Sequence, residues 1–149
     1  MWLFIVSVTV VIIDQLSKWI MSEKLQLHDN IKIIDGFFNL TLVHNPGAAF
    51  GLFPHHQQLF FAFSVITTIA ILFVYIKYAR KNSTVQVLLG LILGGAIGNL
   101  IDRMSFGYVI DFLDFYLYKY HWPAFNVADS SICLGVGLIT LILMKEQQG

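Results

Sequence analysis

Four long apolar runs constrain this chain more than any other feature of its sequence. A helix that crosses the hydrocarbon core of a bilayer needs about 20 mostly apolar residues. Four segments meet or approach that length: Trp2 to about Met21, Leu59 to Ile76, Val85 to Ile101, and Val127 to Met144. Only 12% of the residues are charged and mean hydropathy is +0.73, where a soluble domain of this size carries about a quarter charged residues. The expected fold is therefore an all-α membrane protein, a bundle of four transmembrane helices forming one domain over residues 1–149. The first run has no basic n-region and no A-x-A-like site, and Asp14 and Lys18 interrupt its end, so it is expected as a retained helix rather than a cleaved leader.

Charge sets the expected orientation. Lys77, Arg80 and Lys81 cluster around the short connection between the second and third runs, with no acid beside them. The positive-inside rule assigns that connection to the cytoplasm, and an even number of spans puts both termini there too. Lys145 agrees with this, whereas Lys24 and Lys32 lie in the outward segment 22–58. The net charge is zero and no basic run exists, which excludes nucleic acid as a partner. Cys133 is a single cysteine in an apolar stretch and reads as a small hydrophobe.

The outward segment from Ile31 to Val43, IKIIDGFFNLTLV, is not helical in pattern. Its short β-branched and aromatic runs, broken at Asp35-Gly36, predict strands around a turn, forming a small extracytoplasmic sheet. Asn45-Pro46-Gly47 marks a sharp loop. Gly90 and Gly94, four apart on the third run, are expected to let helices approach closely.

Ionisable groups in lipid are costly and need a reason to be there. Asp14 and Lys18 share a helix face at i,i+4, either as a structural ion pair or as part of a site. The remaining acids gather at one end of the bundle: Asp102 at the end of the third run, Asp111 and Asp114 beyond it, and Asp129 opening the fourth. Asn99, Arg103 and Asn126 flank them. Taken singly, each acid has a bland reading of equal weight. Asp129 caps a helix, Asp102 pairs with a base on another helix, and Asp114 is a solvated loop residue. Taken together, with no HExxH and no Ser/His/Asp set, two carboxylates are the best catalytic pair available. Such a pair shares one proton, activates water and protonates the leaving amine, without a metal or cofactor. The five histidines (His28, His44, His55, His56 and His121) lack the spacing of a zinc site.

Four motifs then resemble one family. They are Asp14-Gln15-Leu16-Ser17-Lys18; Asn45-Pro46-Gly47-Ala48-Ala49-Phe50-Gly51; Gly98-Asn99-Leu100-Ile101-Asp102-Arg103 followed by Gly107 and Val109-Ile110-Asp111-Phe112; and Phe125-Asn126-Val127-Ala128-Asp129-Ser130. In this order and spacing they resemble lipoprotein signal peptidase, also called signal peptidase II. The resemblance implies a bacterial inner-membrane aspartyl protease that cleaves prolipoproteins just before a diacylglyceryl-modified cysteine. It puts the catalytic pair on Asp111 and Asp129, and supporting or substrate-facing roles on Asp14, Lys18, Asn45, Gly47, Asn99, Asp102, Arg103 and Asn126. It further implies a site working among membrane lipid near the outer surface, a sheet that cradles substrate, segment 104–126 as a lid, and globomycin, the family's inhibitor, binding at the dyad; the chain is expected to be a monomer. Two other classes compete on the residues alone. A small transporter would use the intramembrane charges, though the halves show no repeat; an adaptor would use them only to lock helices.

Overall fold

The computed structural model describes residues 1–47 and 57–146. The Ala48-Ala49-Phe50-Gly51 part of the second motif and the His55-His56 pair lie outside the described residues. Four helices are long and apolar enough to cross a bilayer: α1 Trp2–Lys24, α2 Gln57–Val74, α3 Ser83–Phe106 and α4 Val127–Glu146. A single π-helical turn, Tyr75–Ala79, extends α2 toward the short connection to α3.

The central helix is α3, which packs against α1, α4 and α2. Its glycines allow this. A Cβ at Gly90 would meet the Leu3 carbonyl and Val6 Cβ, both at 2.9 Å, and one at Gly94 would meet Val10 Cβ at 2.7 Å and the Ser7 carbonyl at 2.8 Å. Both therefore serve the close α1–α3 approach, as expected. On the other face of α3, a Cβ at Gly95 would strike the Ala128 carbonyl of α4. With Leu3, Leu89 and Leu93 buried between the helices and Ile71 closing the group from α2, the bundle has a packed core. Many of its other large apolar side chains, such as Ile12, Trp19, Ile66 and Leu141, face outward.

The third span extends further than its apolar run. Asp102 and Arg103, expected at its end, lie inside α3, which continues to Phe106. Asp102 is fully buried and ion-paired with Lys18 of α1, so its charge does not have to end the span. The stop comes from Gly107, at φ 79°, whose N–H donates to the Arg103 carbonyl, a left-handed cap of the kind glycine adopts without strain.

A four-stranded sheet in the order β1-β2-β3-β4 covers the end of the bundle where α1 and α3 stop. Strand β1 spans Asn30–Ile34 and β2 spans Phe38–Asn45. They form the expected hairpin, with Gly36 at φ 78° in its turn. The segment 104–126, expected as a lid, contributes two strands to this sheet. Residues Val109–Leu117 form β3, antiparallel to β2, with Val43 opposite Asp111 and Leu40 opposite Leu113. Tyr120–His121 adds the short β4. Pattern alone concealed β3, because Val109 to Phe112 are buried on both faces and do not alternate. Leu25, Leu42 and Ile110 form a second apolar cluster, with Met21 packed on it, that anchors the sheet to the end of α1.

Close helix contact predicts a contrast between two glycines. Gly94→Val should destabilise by about 1–3 kcal/mol through overpacking, read as a lowered unfolding midpoint in detergent. Gly137→Ala should not, because a Cβ there meets nothing within 4 Å. Equal midpoints for the two variants would contradict this packing account.

Candidate active site

Strand β3, the start of α4 and the C-terminal turns of α3 converge on a cavity of about 460 Å³. Asp111 enters it from β3 and Asp129 from the first turn of α4; Asn45, Gly47, Asn99 and Arg103 also line it. Asn126 sits behind this wall, fully buried, and ties the two acids together. Its Nδ2 donates to Asp111 Oδ1 at 2.7 Å, and its Oδ1 accepts from the Asp129 backbone N–H at 2.9 Å. The second bond is an N-cap. Asn126 therefore caps α4, and the capping role considered for Asp129 is not the one it plays. A second cap comes from outside the helix, where Asp14 Oδ1 accepts from the Ala128 N–H at 2.9 Å. The Asp129 side chain is left to face the cavity.

Each carboxylate also has an asparagine of its own. Asn45 Nδ2 donates to Asp111 Oδ2 at 3.0 Å, and Asn99 Nδ2 donates to Asp129 Oδ1 at 2.7 Å. Asn45 also accepts from the Gly47 N–H at 3.1 Å, which folds the tight loop after β2. The orientation of Asn99 follows from Lys18. An ammonium only donates, so the Asn99 oxygen must face Lys18 Nζ, 3.1 Å away. Its amide nitrogen is then turned toward Asp129.

Beneath the cavity lies an ionic group that does not touch it. Lys18 Nζ is 2.7 Å from Asp14 Oδ2 and 2.8 Å from Asp102 Oδ2, and all three side chains are at most 2% exposed. Lys18 therefore does not snorkel toward an interface. Asp102 Oδ2 accepts from the Ile110 N–H at 3.1 Å, locking the start of β3 one residue before Asp111. Asp102 thus pairs with a base on another helix, and Asp14 and Lys18 support the site from behind. Gln15 was not singled out from the sequence. Its Nε2 donates to Asp102 Oδ1 at 2.8 Å and to the Gly98 carbonyl at 3.2 Å, and its place between Asp14 and Lys18 was the available signal. Asp114, read as a solvated loop residue, is buried. It accepts from Asn39 Nδ2 at 3.1 Å and is bonded by His121 Nδ1 at 2.9 Å.

Burial, followed by the charge of Asp129, pushes the Asp111 carboxyl up to about 7, against the opposing hydrogen bonds from Asn45 and Asn126 and the charge of Lys18. No histidine or lysine lines this cavity among the described residues, so neither Ser130 nor Cys133 has an imidazole or an amine there to activate it. The Ser130 hydroxyl is in any case donated to the Asn126 carbonyl at 2.8 Å. Two carboxylates, one of them able to hold a proton near neutrality, are the chemistry on offer.

A family model described as signal peptidase (SPase) II matches residues 6–145. The chain belongs to the signal peptidase II family. It is 44% identical to a lipoprotein signal peptidase of Syntrophotalea carbinolica over 147 residues, covering 97% of this chain and 91% of that one. It is 48% identical to that of Desulforapulum autotrophicum over 139 residues, covering 90% and 86%. A solved bacterial membrane enzyme superposes with a TM-score of 0.90 at 39% identity, covering 97% of this chain and 88% of the other. Membership makes the chain a multi-pass membrane aspartic peptidase of a bacterial family, and sets aside the transporter and adaptor readings.

The ionic group predicts that Lys18→Met will cost about 3–5 kcal/mol, because it leaves two buried carboxylates without their cation. The unfolding midpoint in detergent reads this loss, and a midpoint equal to wild type would contradict the assignment.

Proposed function

We propose that this protein cleaves the signal peptide from diacylglyceryl-modified prolipoproteins, with Asp111 and Asp129 as its catalytic pair. The observation that carries this reading is the pair itself: two acids from different elements on one cavity, bridged by Asn126 between the Asp111 carboxylate and the Asp129 backbone N–H, with each carboxylate held by a further asparagine. The sharing of one proton between such groups is a property of the pair and not of either residue.

On this reading the ionised carboxylate takes a proton from water as the water oxygen attacks the scissile carbonyl carbon. The protonated carboxyl gives its proton to the carbonyl oxygen. Collapse of the tetrahedral intermediate breaks the C–N bond, and the amine leaves with a proton from the dyad. The products are the free signal peptide and a lipoprotein whose first residue is the lipidated cysteine. Arg103 lines the cavity beside the pair, and among the described residues its Nη1 donates to Ser64 Oγ and to the Asn99 carbonyl, both at 3.3 Å. Its remaining N–H groups are placed to hold substrate carbonyls.

Both termini lie in the cytoplasm and the cavity opens near the outer surface, in keeping with the basic residues around the α2–α3 connection. The substrate's acyl chains then stay in the bilayer, and its signal helix lies among the spans. The working form is a monomer, and globomycin occupies the cavity at the dyad.

The test is cleavage of a purified diacylglyceryl prolipoprotein in detergent, followed as a gel shift. Asp111→Asn and Asp129→Asn should each lower turnover by about 10²–10⁴-fold while the protein stays folded. A folded variant with near-normal turnover would remove its residue from the dyad. The pH profile follows from the raised Asp111 value. The acid is available while the shared proton is held, so kcat/KM should fall as pH rises through about 7. A rate that stays flat from pH 6 to 9 would contradict the assignment.

A further inference from the structure

A second cavity, of about 360 Å³, lies beside the first and is lined by Thr41, Val43, Asp114, His121 and the stretch Trp122-Pro123-Ala124. The same three residues, 122–124, line the first cavity, so this short stretch is a wall common to both. It is fixed at either end. The Trp122 N–H donates to the Phe115 carbonyl at 2.8 Å, and the Phe125 N–H donates to the Leu113 carbonyl at 3.1 Å. Across the second cavity stands the irregular part of β2, where the β2–β3 register shifts between Leu40 and Val43. An extra residue there leaves Thr41 and Leu42 without directly opposed partners on β3, and bulges of this kind re-aim side chains next to sites.

The polar groups of this cavity are built rather than scattered. Asp114 is 5% exposed, and both its oxygens are within 3.0 Å of His121 Nδ1. The His121 ring stacks on Tyr116, with centroids 4.9 Å apart. A carboxylate at Nδ1 fixes the proton on that nitrogen, which leaves Nε2 as the acceptor in the neutral ring. No hydrogen bond to Nε2 is formed among the described residues. A half-exposed imidazole held in this way offers one oriented acceptor to a ligand.

We propose that the second cavity holds the polypeptide immediately downstream of the scissile bond, in extended form, with His121 Nε2 accepting a backbone N–H from it. This rests on the peptidase reading of the first cavity. A chain with its scissile bond at Asp111 and Asp129 must continue past the cavity, and the 122–124 stretch that lines both cavities borders that continuation. Asp114 acts through His121 and is a positioning residue.

Two synthetic substrates test this with the full-length enzyme in detergent. Both carry the signal sequence and the diacylglyceryl cysteine. One ends at the cysteine amide, and the other continues for several residues beyond it. Wild type should cleave both, with the lower KM for the longer. His121→Ala should lower kcat/KM for the longer substrate by about fivefold, the loss expected for one hydrogen bond, and leave the shorter unchanged. His121→Gln, which keeps an acceptor, should recover part of the loss. Equal losses on both substrates would make His121 a structural support only, and no loss on either would leave the cavity without this role; both results overturn the proposal. So does a wild-type KM that is the same for both lengths, a measurement that needs no variant to fold. Failure of wild type to cleave either substrate would instead overturn the peptidase reading itself.

Discussion

A lysine held between two carboxylates inside an apolar bundle is the interaction on which the rest of this structure depends. Lys18 joins α1 to α3 through Asp102, and Asp14, its other partner, reaches across to the first turn of α4. Three helices are thereby fixed to one another at the level of the cavity. In hydrocarbon no water compensates a missing partner, so each member of the group constrains the others strongly. The same ammonium turns Asn99, and Asn99 turns its amide toward Asp129. Orientation in the cavity is thus set by charges that never face it.

The sheet supplies the second half of the arrangement. Asp111 lies on a strand and not on a helix, and its position is fixed from both directions along β3. Asp102 holds the N–H of Ile110, and the Phe112 and Leu113 N–H groups both donate to the Phe125 carbonyl, at 3.0 and 2.8 Å. Phe125 in turn leads into Asn126. One short stretch therefore pins the strand, caps α4 and bridges the two acids. Two carboxylates from elements of different type are thus held on one cavity by hydrogen bonds to the backbone on both sides of Asp111 and in the first turn of α4.

Much of this was legible in the sequence, and the rest was hidden for identifiable reasons. The four spans and the β1–β2 hairpin follow from local periodicity and from Asp35-Gly36. The supporting roles of Asn99, Asn126 and Arg103 came from motif resemblance, and the structure brings these residues to one cavity or directly behind it. The continuation of α3 past Asp102 was not legible, because a carboxylate normally closes a span and its partner, Lys18, is remote in sequence. Strand β3 was hidden because both its faces are covered. Asp114 looked solvated because its partners, Asn39 and His121, lie on other strands. Each miss involves a long-range partner that no local pattern encodes.

The central claim is that Asp111 and Asp129 work as one unit, and non-additivity tests it most directly. The measurement is kcat/KM on a diacylglyceryl prolipoprotein for wild type, the two single asparagine variants, and the double variant Asp111→Asn/Asp129→Asn. If the carboxylates share one proton and one reaction, losing either disables both, and the double variant falls no lower than the worse single. Losses that multiply in the double variant would show two independent contributions and contradict the dyad.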